Sequence, residues 1–376
     1  MNCSQTVIPF VDLGWQNQPL QTQLMNALKA VITQGDFILG EAVTTFEQAF
    51  AQACGVSYGV GVACGTDGIT LGLQACGIGK GDQVLMPVNT FIATLIGVIR
   101  TGAVPVLVDC DLKTGLIDLE AAKQLITPQT QAIIPVHLYG QMVSPSALLA
   151  FAQTHNLLIF EDAAQAHLAA REGYVAGTVG VAAAFSFYPS KNLGGFGDGG
   201  MVVTSDAQIA EKVRVLRNYG APRKYEHTEL GANSRLDSLQ AVVLNTKLPY
   251  LRQWNQFRNL AGREYDKLLK PLEDRGIISI LNVSGAGHVY HLYVIRVTDH
   301  FALNRDQLYQ HLNQQGIQVG IHYPIPCHLQ PAYRYLGYQP GDFPQAETLC
   351  QQILSLPIYP GITPQQIQQV VEGMRV

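Results

Sequence analysis

Four short stretches hold side chains whose chemistry exceeds what packing requires. In Phe185–Gly200, which reads FSFYPSKNLGGFGDGG, a single lysine, Lys191, stands between an apolar run and a glycine-rich turn. Tight packing there strips water from the amine, lowers its pKa and makes it a nucleophile toward an aldehyde; a solvated loop lysine is the plain alternative. Ser186 adds a hydroxyl able to donate to a phosphate. Asp162 closes the apolar run Leu157–Glu161 and is followed by Gln165 and His167. A carboxylate there is costly without a cationic partner such as a protonated pyridine nitrogen, and otherwise reads as a helix-capping acid. In Cys64-Gly65-Thr66-Asp67-Gly68 the backbone N–H groups of Gly65 and Thr66 open a helix and suit a phosphate; the competing reading is a glycine turn capped by Thr66 or Asp67. Phe91, within Pro87–Thr94, offers a ring that stacks on a flat cofactor or fills the core. An anion cradle, a stacking ring, a carboxylate and an amine form the inventory that pyridoxal 5′-phosphate requires.

These stretches act together only if the fold gathers them. Each follows a β-like run, and open α/β sheets bind ligands at the carboxyl ends of their strands. The pattern predicts strands at Tyr58–Val62, Gln83–Met86, Val104–Val108, Thr130–Val136, Leu157–Glu161, Ala183–Phe187 and Met201–Thr204. Helical patterns lie between them at Asp67–Cys76, Thr90–Thr101, Leu116–Leu125 and Pro145–His155. Such alternation implies a largely parallel sheet covered on both faces. Two helices precede it, marked by Leu20, Leu24, Leu28 and Val31 and then by Val43, Phe46 and Phe50; a helix at Asp206–Asn218 and a long one from Leu236 to about Leu269 follow. A strand at Val289–Val297, a helix at Asn304–Gln315 and a turn from Tyr323 to Pro326 complete the pattern. The expected division is a large α/β domain over 1–250 and a smaller α+β domain over 251–376. The glycines after Lys191 do not match G-x-G-x-x-G, which sets a nicotinamide dinucleotide aside.

Composition limits the rest. The chain has 376 residues, 47% of them hydrophobic, 14% charged, and a net charge of -4, which excludes a disordered tail and most nucleic-acid binders. The sparse charge hints that part of the surface lies against another subunit. Seven scattered cysteines without a C-x-x-C pair read as reduced thiols, and no apolar run is long enough for a membrane span, so the expected location is the cytoplasm. No metal is expected.

Ordered blocks along nearly the whole chain carry a further signal. They run from Phe10-Val11-Asp12-Leu13 through Gly65-Thr66-Asp67, Thr90-Phe91, Pro135–Gly140, Glu161–His167, the Lys191 stretch, Arg217–Gly220 and Gly231–Asp237 to Ile321-His322-Tyr323-Pro324. In these the sequence resembles the DegT/DnrJ/EryC1/StrS sugar aminotransferases, pyridoxal phosphate enzymes of fold-type I with the aspartate aminotransferase-like fold. The resemblance implies that Lys191 is joined to the cofactor and is catalytic, with Asp162 on the pyridine nitrogen. It further implies Gln165 at the ring hydroxyl, Phe91 on the ring face, and Gly65, Thr66 and Ser186 at the phosphate. Asn233 matches an asparagine that reaches the phosphate from the neighbouring subunit, which implies a homodimer with shared active sites. Tyr188, Tyr219, His322 and Tyr323 are candidates to line a sugar pocket, or structural aromatics near the domain junction.

The resemblance also implies amino transfer from L-glutamate to a nucleotide-linked keto sugar. Relatives that aminate C4 often show a histidine before the proline and Gly-Glu-Gly-Gly after the lysine, whereas this chain has Tyr188-Pro189-Ser190-Lys191 and Gly197-Asp198-Gly199-Gly200. That looks like the branch acting at C3 of dTDP-3-keto-6-deoxyhexoses. The competing readings are a C4 or UDP-linked 2,3-diacetamido-sugar aminotransferase, and a regulatory homologue without catalysis. Met142-Val143-Ser144 and Cys327 depart from the family pattern where substrate fit is set.

Overall fold

The computed structural model describes residues 7–282 and 285–375. Cys3 lies outside them; the other six cysteines are free thiols, buried or half-buried.

Twelve strands are present among the described residues: β1 Tyr58–Val62, β2 Gln83–Pro87, β3 Val104–Val108, β4 Thr130–Ile133, β5 Leu158–Asp162, β6 Ala170–Arg171, β7 Tyr174–Val175, β8 Ala182–Ser186, β9 Gly200–Thr204, β10 Ile278–Ile280, β11 Tyr293–Val297 and β12 Ile353–Leu356. Seven form one sheet in the order β1-β9-β8-β5-β4-β2-β3. Every neighbouring pair is parallel except those made by β9, which runs against both β1 and β8. The expected parallel sheet is therefore present with one reversed strand. Its central strands are buried on both faces, as their unbroken apolar runs require. β10, β11 and β12 form a separate antiparallel sheet, and β6 and β7 a small hairpin that the sequence pattern did not signal.

Helices pack on the large sheet, while Gln21–Gln34 lies against helix Ser238–Lys247. Gln21–Gln34 buries Leu24 and Val31, and Glu41–Cys54 buries Val43, Phe46 and Phe50; both stop at a glycine in the left-handed region, Gly35 and Gly55. Pro145–His155 starts on the Ser144 hydroxyl, which accepts from the Ala147 N–H.

Three expected elements are shorter than their patterns, each for a visible reason. Pro135 has no N–H to continue β4. The long helix from Leu236 becomes two, Ser238–Lys247 and Leu251–Asp274, because Pro249 imposes a 3-10 turn between them. The strand at Val289–Val297 starts only at Tyr293, since the N–H groups of Val289 and Leu292 are taken by the carbonyls of Gly140 and Tyr139.

Two large apolar cores result among the described residues, with a small third cluster of Leu20, Leu24, Val243 and Trp254. One lies on both faces of the large sheet. The other joins helices Leu251–Asp274, Arg305–Gln314 and Pro364–Gly373 to the small sheet and takes in Ile8, whose N–H donates to the Gly316 carbonyl. The two meet where Leu281, Val289 and Leu292 pack into the first core.

Candidate active site

The carboxyl ends of β1, β2, β5 and β8 open on one cleft of about 450 Å³. It is lined by ten of the expected residues: Gly65, Thr66, Phe91, Asp162, Gln165, Ser186, Tyr188, Lys191, His322 and Tyr323. Asn233 and Tyr219 are not in its wall. They sit on a bridged pair of segments (Asn218 with Asn233), with Tyr219 48% exposed and the Arg235 guanidinium over its ring at 5.5 Å. A larger depression of about 760 Å³, between Asp82 and Asn156 at the other end of the strands, has no lysine or histidine in its wall.

Asp162 is the last residue of β5 and is 5% exposed. Its Oδ2 accepts from Thr94 Oγ1 at 2.7 Å and its Oδ1 from the Ala164 N–H at 3.1 Å. Thr94 in turn exchanges a hydrogen bond with Thr90 at 2.8 Å. Among the described residues no cation comes within ion-pair distance, and burial raises the carboxyl pKa against the opposing pull of Thr94, Ala164 and Lys191. The carboxylate is thus fixed and solvated by donors but lacks a counter-charge.

Lys191 lies in the glycine loop between β8 and β9, and this loop is pinned along its length. Phe187 N–H donates to Gly199 O and Gly195 N–H to Phe187 O, both at 2.8 Å. Lys247 Nζ donates to Gly194 O at 2.8 Å, and Gln240 Oε1 accepts from the Phe196 N–H at 2.7 Å. A Cβ on Gly194 would come within 2.2 Å of the Pro189 carbonyl oxygen, so the turn needs glycine there. Among the described residues the Lys191 amine has no hydrogen-bond partner, and burial lowers its pKa from 10.5 to about 8, with Asp162 pulling the other way.

Gly65 and Thr66 begin the helix Gly65–Ala75, so their N–H groups have no intrahelical acceptor. The cap is neither Thr66 nor Asp67 but Cys64, whose Sγ accepts from the Asp67 N–H at 3.5 Å; Asp67 pairs with Arg100 instead. Gly65 packs so closely on Ser186 that a Cβ would lie 2.8 Å from the serine Cβ. Gln165 accepts from the Tyr139 N–H at 2.7 Å and donates to Tyr323 OH at 3.1 Å. The Tyr323 ring lies 5.3 Å from that of Phe91, which is half-open to the cleft. His322 Nδ1 meets Ser355 Oγ at 2.9 Å, and burial lowers its pKa to about 4.

Several supporting residues escaped the sequence reading. Thr94 and Thr90 stand on the strand-to-helix turn beside Phe91, and His291 also lines the cleft. Glu161, one residue before Asp162, is fully buried and accepts from the Gly177, Val179 and Gly180 N–H groups. Its Oε2 lies 2.8 Å from His137 Nε2, and because His137 Nδ1 accepts from the Val143 N–H, Nε2 carries the proton. Cys327, one of the departures from the family pattern, donates its thiol to the Thr90 carbonyl at 3.6 Å, and so braces that turn.

The set fits pyridoxal phosphate. Asp162 is a buried carboxylate short of a cation, Lys191 is a desolvated amine, and two free N–H groups at a helix start face the same cleft. Among the described residues no group of three His, Cys, Asp or Glu is placed to hold a metal, and no helix is long and apolar enough to cross a membrane.

Comparison with known proteins agrees with this geometry. The chain is 42% identical over 97% of its length, and 97% of the other protein, to the pleiotropic regulatory protein of Geobacillus stearothermophilus. It is 41% identical to the dTDP-3-amino-3,4,6-trideoxy-alpha-D-glucose transaminase of Streptomyces venezuelae, covering 98% of this chain and 95% of that one. It is 40% identical to the UDP-N-acetyl-3-dehydro-alpha-D-glucosamine 3-aminotransferase of Acidithiobacillus ferrooxidans, covering 98% of each. Among solved structures, S. venezuelae DesV in complex with a ketimine intermediate superposes with a TM-score of 0.93 at 41% identity over 98% of both chains. NtdA of Bacillus subtilis with bound PMP superposes with a TM-score of 0.90 at 31% identity, over 99% of this chain and 85% of that one. Residues 19–375 match one sequence family, and with the lysine, the carboxylate and the anion cradle on a single cleft, the chain belongs to the DegT/DnrJ/EryC1/StrS aminotransferase family.

Proposed function

We propose that the protein transfers an amino group from L-glutamate to C3 of a dTDP-3-keto-6-deoxyhexose, working as a cytoplasmic homodimer whose large domain, 1–250, carries most of the site and whose smaller domain, 251–376, closes it. The observation that carries this reading is the pairing of Lys191 and Asp162 across one cleft.

Pyridoxal 5′-phosphate held there supplies an aldehyde for the donor amine and a ring that takes up the electron pair left when a C–H bond breaks. The chain's own residues do the rest. The Lys191 amine, once free, takes the proton from the donor's Cα and delivers it to the cofactor's C4′. With its pKa near 8, about a tenth of that amine is neutral at pH 7, against roughly one part in three thousand for an unperturbed lysine. Asp162 Oδ holds a proton on the ring nitrogen, and the Thr94 hydroxyl keeps that carboxylate ionised and aimed. Gln165 is locked between Tyr139 and Tyr323 and faces the ring hydroxyl, Phe91 covers the ring, and Gly65, Thr66 and Ser186 receive the phosphate. Tyr188, His322 and Tyr323 offer hydroxyl and imidazole groups to the sugar. Asn233 completes the phosphate site of a second copy, and Tyr219, on the segment bridged to it, faces that copy's sugar.

The relative named for a UDP-N-acetyl sugar favours a second reading, with a uridine-linked 3-keto sugar as acceptor. A catalytically silent regulator is disfavoured, since Lys191, Asp162 and Gln165 are all present and share the cleft. Turnover with glutamate is compared on dTDP-3-keto, dTDP-4-keto and UDP-linked 3-keto sugars; preference for a 4-keto sugar refutes the C3 assignment. Lys191→Ala is expected to abolish the borohydride-trappable adduct while leaving the fold intact. Mixing Lys191→Ala with Asn233→Ala chains should restore up to roughly a quarter of the activity if the sites are shared, because half the dimers are hybrids with one complete site. No recovery refutes the shared site.

A further inference from the structure

His291 lines the cleft that holds Lys191, yet the chemistry above gives it nothing to do. It is 8% exposed, and its Nδ1 is sealed from solvent without a hydrogen-bond partner. Such a ring is costly to bury unless its other nitrogen is used. The backbone around it is fixed from two sides. The flanking Val289 and Leu292 N–H groups donate to Gly140 and Tyr139 at 3.0 and 3.2 Å. Arg258 Nη1 donates to the carbonyls of Tyr290, His291 and Ile358 at 3.1, 3.5 and 3.0 Å. The backbone that carries the ring is therefore fixed, while its Nδ1 has no hydrogen-bond partner among the described residues.

The groups facing the imidazole come from several elements: Lys191 on the glycine loop, Arg258 on helix Leu251–Asp274, His322 after the small sheet's neighbouring helix, and His167 after β5. None is acidic. Burial, with the Lys191 and Arg258 charges acting in the same direction, holds the ring neutral, so one nitrogen keeps a lone pair. The Lys191 amine, in the same cleft, has hydrogens to donate and no acceptor among the described residues.

We propose that His291 is a positioning residue for Lys191: its cleft-facing nitrogen accepts a hydrogen bond from Nζ while the freed amine carries the proton taken from the donor's Cα. In that step the Cα–H bond breaks, an N–H bond forms on Nζ, the electron pair passes into the cofactor ring, and His291 gains no proton. The inference deepens the role proposed for Lys191 and rests on it.

The test uses the apo chain. The rate at which added pyridoxal phosphate is captured as a borohydride-reducible adduct follows the neutral fraction of the amine, so its pH midpoint reports the stability of the ammonium form. His291→Phe removes the acceptor, and the midpoint is expected to fall by about one pH unit. His291→Gln supplies an acceptor again and should bring the midpoint most of the way back. A midpoint unmoved in His291→Phe overturns the inference. Should that variant not fold, the ring-nitrogen resonances of His291 decide the matter: a step at the lysine midpoint, lost in Lys191→Met, supports it, and no step overturns it. Failure of the unaltered chain to form any adduct would instead refute the reading of Lys191 itself.

Discussion

Replacing Thr94 with valine removes one hydroxyl and almost no volume from a position that is fully buried. That hydroxyl makes the 2.7 Å bond to Asp162 Oδ2, and among the described residues the only other donor to the carboxylate is the Ala164 N–H. A hydrogen bond to a charged group contributes about 1.5–3 kcal/mol, which corresponds to about one to two pKa units. Burial already raises the Asp162 pKa and Thr94 opposes it, so removing Thr94 raises it further. Less of the carboxylate is ionised on the acid side, and the acid limb of the donor half-reaction moves to higher pH by about one to two units. At a given pH on that limb the rate should fall on the order of tenfold. Stopped-flow absorbance of the cofactor on mixing with glutamate, across the acid and neutral range, measures both quantities. An unmoved limb with a rate within about twofold of the unaltered protein would refute the claim that Thr94 keeps Asp162 charged.

Four further outcomes are expected. In the apo chain Asp162→Asn should raise stability to chemical denaturation by about 1–2 kcal/mol while abolishing turnover, because it removes a buried charge without a counter-ion. The same carboxyl binds its proton more tightly folded than unfolded, so apo stability should decline as pH rises from the unfolded toward the folded pKa; a rise in that window would contradict the direction of the shift. Gly65→Ala sets a Cβ 2.8 Å from that of Ser186 and should weaken cofactor binding on the order of tenfold by equilibrium dialysis, whereas unchanged affinity would dismiss the phosphate cradle. Glu47→Ala strands the buried Arg217, which Glu47 Oε1 meets at 2.5 Å, and should cost about 3–5 kcal/mol in a denaturant titration; a loss under about 1 kcal/mol would mean that water reaches the guanidinium.

The large sheet was readable because its strands are continuous apolar runs ending in chemistry, and ten expected site residues line the cleft for that reason. The reversal of β9 was not readable, since an apolar strand carries no mark of direction. Thr94, Glu161 and His291 were missed because their value lies in what they touch across the fold. Thr94 is 68 residues from Asp162 and reads alone as an ordinary helix threonine. Elsewhere a signal was present and unused: Thr363, Pro364 and Gln366 form a capping box with proline at the first helical position, and the helix Pro364–Gly373 starts there. Asn233 and Tyr219, both expected at the site from the sequence, stand outside the cleft wall.

The reversed strand has one more effect. Because β8 and β9 are adjacent and antiparallel, in register from Ala182 with Thr204 to Ser186 with Gly200, the segment bearing Lys191 closes a hairpin and does not cross from one layer to another. The sheet can assemble whatever residue occupies position 191. A lineage built on this scaffold is free to exchange its reactive group by a single codon change and keep a foldable protein, so new chemistries, or none, can be tried without first reinventing the architecture.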